Sequence, residues 1–158
     1  MVSLKWCFRQ KDGIRLIEPN DNLALAYINL AEKSLGTMSR ERKYNMMFAI
    51  SACYYSMYYS LYAVLMKLGI KCEIHSCTLE IMKSVLQGFY SKEDVMIIKK
   101  GFDARIIAQY YVDKIVPEED SDFIFSKAPL FFNKSKEVLS KINKTDIQNI
   151  KERLAKFH

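Results

Sequence analysis

From about Ser39 to Leu68 the chain runs for some 29 residues without a proline or a glycine. As one helix such a run spans roughly 43 Å, longer than most single elements of a small domain. It is apolar on nearly every side, with Met46, Met47, Phe48, Ile50, Tyr54, Tyr55, Met57, Tyr58, Leu61, Tyr62, Val64 and Leu65 distributed around the circumference. A helix that is apolar all round has to be covered all round, so this segment is expected at the centre of the molecule. Ala49, Ala52, Ser56, Ser60 and Ala63 form a line of small residues at spacings of three and four. Such a line lets another backbone approach closely, and marks either the tightest internal crossing or a contact between subunits.

The rest of the chain reads as further helices around that centre. With 158 residues, half of them hydrophobic, one domain with one core is expected over 1–158. Only five glycines and three prolines interrupt it, so the elements should be few and long. Residues 1–19 read as a short β-hairpin-like extension about Lys11-Asp12-Gly13, because Asp-Gly is a hairpin turn signal. Asn20 or Asp21 caps a first helix that Gly36 ends, and the main helical body covers 20–142. A short helix is expected at about Ser76 to Gln87, and another from the Ser91/Asp94 capping box to about Ile115. Pro117 with Glu118-Glu119-Asp120 closes that helix off, and a fifth, broken or kinked at Pro129, covers about Ser121 to Ile142. Thr145 and Gln148 cap a last helix at 145–157, whose inner stripe is Ile147, Ile150, Leu154 and Phe157. The fold class is all-α.

Several function classes are disfavoured by what the chain lacks. The start offers no signal-peptide core and no segment supplies about 18 uncharged apolar residues, so a cytoplasmic protein without a membrane span is expected. In that compartment Cys7, Cys53, Cys72 and Cys77 are expected as unbridged thiols. Cys72, His75 and Cys77 are three potential zinc ligands within six residues, but no second Cys/His pair supplies a fourth. No metal and no cofactor is therefore expected, and His75 reads as a helix-capping residue. It is also the one histidine besides His158, which leaves little for a nucleophile–base pair, and the glycines are too scattered for a phosphate loop. The net charge of +6 sits mostly at one end: from Lys127 onward there are 8 basic and 3 acidic residues. That tail would centre any attraction to RNA or to an acidic protein, although its lysines also suit the solvated faces of helices.

The segment Gly101 to Tyr111 carries the most information about a site. On a helix Asp103 and Tyr110 share one face, while Arg105 and Gln109 share another. Arg105 stands among apolar neighbours, where an unpaired guanidinium is costly, so it is expected to be paired or placed at an interface. On a regular helix Arg105 and Tyr110, five residues apart, point about 140° from each other.

Three features resemble the HEPN family (higher eukaryotes and prokaryotes nucleotide-binding domain) in its small stand-alone prokaryotic form. Ala52-Cys53-Tyr54-Tyr55-Ser56-Met57-Tyr58 is similar to the family's "AxYYxxY" second helix. The stretch from Leu68-Gly69-Ile70 to His75-Ser76 resembles its loop into the third helix, and Arg105 with Ala108-Gln109-Tyr110 resembles its "RxxADY" fourth helix. The likeness covers about Asn22 to Ile142. It implies an antiparallel up-and-down helical bundle, a homodimer, and action beside a minimal nucleotidyltransferase as a toxin–antitoxin pair, with a nucleotide or RNA as further ligands. Ribonucleases of the wider family carry Arg, four to six residues, then His. Here Tyr110 stands five residues after Arg105, which speaks against that activity and for a non-catalytic module. The alternative is a ribonuclease in which Arg105 works with Tyr110 or Asp103 in place of the histidine. The resemblance also makes Tyr110 or Tyr111 a candidate acceptor of a transferred nucleotidyl group.

Overall fold

A computed structural model describes residues 2–158. It contains α1 (Leu4–Arg9), β1 (Arg15–Leu16), α2 (Asp21–Glu41), α3 (Met46–Leu68), β2 (Ile70–Lys71), α4 (His75–Val85), α5 (Lys92–Tyr110), α6 (Glu118–Lys141) and α7 (Lys144–Ala155). The fold is an all-α bundle with one two-stranded sheet among the described residues. The apolar α3 lies at its centre, packed against α2, α5 and α6. Ala49, Ser56, Ser60 and Ala63 are completely buried, so the line of small residues serves an internal crossing and is closed to a second subunit.

The amino-terminal hairpin does not form. Leu4, Cys7 and Phe8 follow helical spacing, Ser3 caps Trp6 N–H, and residues 4–9 wind into α1. The turn at Asp12-Gly13 instead brings the chain back under that helix, where Ile14 N–H donates to the Cys7 carbonyl. A Cβ on Gly13 would lie 1.8 Å from that same carbonyl oxygen, which explains the glycine without a hairpin. Arg15 donates to the carbonyls of Phe8, Gln10 and Lys11, and these bonds tie off the end of α1. β1 then pairs antiparallel with β2, in the register Arg15 to Lys71 and Leu16 to Ile70.

The long run of residues 39–68 is also divided. α2 continues through Gly36, whose Cα faces open space, to Glu41. Asn45 then accepts from Phe48 N–H and starts α3, so a tight turn at 42–45 folds α2 and α3 against each other. The predicted stop holds at the other end: Gly69 has φ of 72° and its N–H bonds the carbonyls of Leu65 and Met66.

α5 begins at the expected Ser91/Asp94 capping box. Glu118, Glu119 and Asp120 do not close α5 off but form the first turn of α6, where negative charge suits the helix dipole. α6 runs as one helix through Pro129. Asn143 and Asp146, rather than Thr145 and Gln148, make the capping box of α7, and its buried residues are Ile150 and Leu154.

Cys7 and Cys77 form a disulfide that staples α1 to α4, which corrects the expectation of four unbridged thiols. That expectation rested on compartment alone, whereas folding brings the two residues, 70 positions apart, to a Cα separation of 5.7 Å. Cys53 and Cys72 are free and buried, and burial pushes both thiols above their ordinary range. No helix among the described residues is long and apolar enough to cross a membrane.

Candidate functional site

α3 carries tyrosines in two rows four residues apart, Tyr54-Tyr58-Tyr62 and Tyr55-Tyr59, and each row stacks along its own helix face. α5 lies beside these rows, with Gly101 against Met57 and Tyr54 of α3. This places Arg105 opposite Tyr55, whose hydroxyl accepts from Arg105 Nη2 at 3.0 Å. The guanidinium carbon is 5.8 Å from the Tyr54 ring centre, 5.4 Å from Tyr55 and 5.7 Å from Tyr110. Arg105 Nε is sealed from water and bonds nothing, the one such side-chain atom among the described residues.

The four candidate residues thus have different fates. Arg105 and Tyr110 come together although they are far apart around the helix, because the long arginine side chain reaches along it. Tyr110 is 67% exposed and meets the guanidinium through its ring. Asp103 does not join them, since its carboxylate takes Lys99 Nζ at 2.6 Å on the solvent side. Tyr111 turns to Lys114, whose ammonium stands 4.0 Å over its ring.

A further residue enters from another element. His75 opens α4 but caps nothing: its Nδ1 bonds the Tyr54 hydroxyl at 2.6 Å, and its ring stacks on Tyr58 at 4.1 Å between centres. Burial, with the nearby Arg105 charge adding to it, lowers its pKa from 6.5 to about 4. The imidazole is therefore neutral at pH 7, and burial also holds the Tyr54 and Tyr58 hydroxyls protonated. Proximity of His75 to Arg105 has no local signal in the sequence, since it arises only when α4 and α5 flank the same face of α3. Cys77, engaged with Cys7, is not available to a ligand set with Cys72 and His75.

Protonation of His75 has a defined consequence for stability. The unfolded chain binds the proton near pH 6.5 and the folded chain only near pH 4, so stability must fall as acid is added across that interval. The contribution is complete above about pH 6.5 and is lost as pH falls through about 4. Urea titrations from pH 7 to pH 4 should show a steeper decline for the native chain than for His75→Gln. Parallel declines would contradict the assignment.

A second region lies where α3 begins and α5 ends. A cavity of about 330 Å³ there is lined by Met46, Met47, Ile50, Ala108, Val112 and Ile115. Met46 and Met47 are exposed, and Val112 and Ile115 almost wholly so. A contiguous apolar surface of this kind marks an interaction site more often than a bare face. On the other side of Tyr58, Tyr27, Tyr59, Tyr62, Lys71 and Glu73 line a cleft of about 480 Å³. Another cavity, about 590 Å³ beside Lys83, Gln87 and Tyr90, holds none of these groups.

Comparison with known proteins gives two findings. The model of the HEPN domain matches residues 24–139. A protein of Methanocaldococcus jannaschii described as a candidate toxin is 29% identical over 120 residues, covering 71% of this chain and 78% of the relative.

Proposed function

The chain belongs to the HEPN domain family, and from that premise we propose that it acts by association and not by RNA cleavage. In this reading it is a cytoplasmic homodimer that binds a partner protein of the minimal nucleotidyltransferase type, as one half of a toxin–antitoxin pair. The toxin description of the relative supports the second half of that statement.

The observation that carries the reading is the company of Arg105. The group five residues on is a tyrosine whose ring, not a proton-exchanging atom, faces the guanidinium. The imidazole nearby bonds Tyr54 and has a pKa of about 4, too low for a group that must take up and return a proton at neutral pH. The cavity at the Met46 end of α3 adds exposed apolar side chains, among them Met46, Met47, Val112 and Ile115, beside Gln109 and Lys114, a mixture that suits a protein partner. A nucleotide is the other ligand this reading admits, and the tyrosine-lined cleft offers rings on which a base can stack. The exposed Tyr110 would be the accessible acceptor for a nucleotidyltransferase.

The rival reading, a ribonuclease using Arg105 with Tyr110 or Asp103, draws on the closeness of Arg105 to Tyr110. Asp103 supports it less, being committed to Lys99. Association is tested by light scattering at micromolar concentration. The expected mass is twice the 18.5 kDa of one chain, and a clean single-chain species would contradict the proposal.

A further inference from the structure

α1 and α7 lie outside the matched residues 24–139, and folding brings α1 against the residues that follow α7. The rings of Phe8 and His158 meet edge-on at 5.4 Å between centres, and Lys5, Phe8, Arg9, Phe157 and His158 line a cavity of about 130 Å³. Leu4 and Cys7 are the buried residues of α1, and the bridge from Cys7 to Cys77 fixes the helix on α4. Lys5 and Arg9, four residues apart, share the exposed side. Phe157, expected on the inner stripe of the last helix, is 41% exposed instead.

Charge at this corner is of one sign. Residues 2–11 hold Lys5, Arg9 and Lys11 and no acid, and residues 153–158 hold Arg153 and Lys156 and no acid. Lys5, Arg9 and Lys156 are exposed and engaged in no ion pair among the described residues, whereas Lys67, Lys71, Lys99 and Lys100 each face a carboxylate. Exposed rings edged by uncommitted cations suit a nucleic-acid strand whose bases are unpaired: the cations hold phosphates and a ring takes a base. Such free bases are the usual target on RNA, in its loops and ends. A lipid surface asks instead for a helix with its apolar side outward, and that side of α1 is buried and stapled. A protein contact asks for an apolar centre with the charges at its rim, whereas Lys5 and Arg9 stand in the lining itself.

We infer that α1 and the residues after α7 form a binding surface for single-stranded RNA, in which Lys5, Arg9 and Lys156 contact phosphates and Phe157 stacks on a base. The surface shares no residue with the Arg105 site. It lies outside the family match, so it stands or falls apart from the association proposed above.

The test is fluorescence anisotropy of a labelled uridine RNA of about 12 nucleotides, titrated with the full chain. The native chain should bind it, and affinity should fall roughly 20-fold between about 50 and 200 mM salt, as three phosphate contacts require. Lys5→Gln with Arg9→Gln should weaken binding about tenfold or more at the lower salt. Phe157→Ala should weaken it at least about fivefold, the equivalent of about 1 kcal/mol for one stacked base. Lys33→Gln with Lys43→Gln removes the same charge from α2 and the turn after it, and should change affinity by less than about twofold. Circular dichroism confirms that each variant is folded. Equal weakening by the two charge-removing pairs would reduce the surface to diffuse charge, and an unaffected Phe157→Ala would remove the stacking; either overturns the inference. So does a native chain that leaves the strand free, or binding that Arg105→Gln abolishes and the surface variants do not, which would place the RNA at α5. Binding to phosphatidylglycerol vesicles and not to the strand would assign the surface to lipid and overturn it as well.

Discussion

Replacing Cys7 and Cys77 together by alanine is expected to lower the stability of the chain by about 4 kcal/mol, the figure for a bridge that closes a loop of this length. The two residues are separated by 70 positions, so the bridge removes a large set of open conformations from the unfolded chain. It also holds α1, a helix of six residues that would not persist unaided, against α4. Loss should therefore be seen first as rapid amide exchange over residues 4–9 and then as a lower urea midpoint. Reduction of the native chain should reproduce the shift, and the double variant should not respond to reductant. A midpoint that the substitutions leave in place would show that the bridge contributes nothing to the fold in solution.

Tyr54→Ala is expected to cost about 3–5 kcal/mol, the range for truncating a large buried ring. Tyr54 is completely buried, and its ring stands within 6 Å of the rings of Tyr55, Tyr58, His75 and Phe102. A second effect separates its hydroxyl from its ring. Tyr54→Phe keeps the packing but leaves His75 Nδ1 without its partner, a loss of about 1–3 kcal/mol. Denaturation of both variants gives the two costs, and equal losses would mean that the ring contributes little beyond its hydroxyl. The larger effect should spread beyond Tyr54, because the same ring neighbours both Arg105 and His75.

How much of this could be read from the residues depends on the distance over which each signal acts. The Gly69 stop, the Ser91/Asp94 capping box and the central place of α3 depend on neighbours within a turn or two, and all three hold. Asn45 carried an equally local cap signal, but the chain on both sides of it runs without proline or glycine, which favours reading one continuous helix. The amino terminus was misread because Asp-Gly is a turn signal that does not say which elements the turn joins. Leu4, Cys7 and Phe8 already held the helical spacing. Contacts across the fold had no such signal. Tyr55 and Arg105 are 50 residues apart, and Cys7 and Cys77 are 70 apart. Physics did anticipate that Arg105 needed company, since a buried guanidinium must find acceptors. The identity of that company, a collar of tyrosines with one N–H left over, depends on how α5 lies on α3.

We propose that this HEPN chain does not cleave RNA, since burial and the Arg105 charge hold the nearby His75 imidazole out of proton exchange at neutral pH. Metal-independent cleavage asks for a proton-exchanging group; His75, depressed to about 4, does not meet the need, and Tyr110 meets the guanidinium through its ring. The direct measurement is incubation of the purified chain with structured and unstructured RNA at pH 7, alongside Arg105→Ala and Tyr110→Phe. The account predicts that all three leave the RNA as intact as buffer does. Cleavage by the native chain that both substitutions abolish would contradict it and would make Arg105 and Tyr110 an active site.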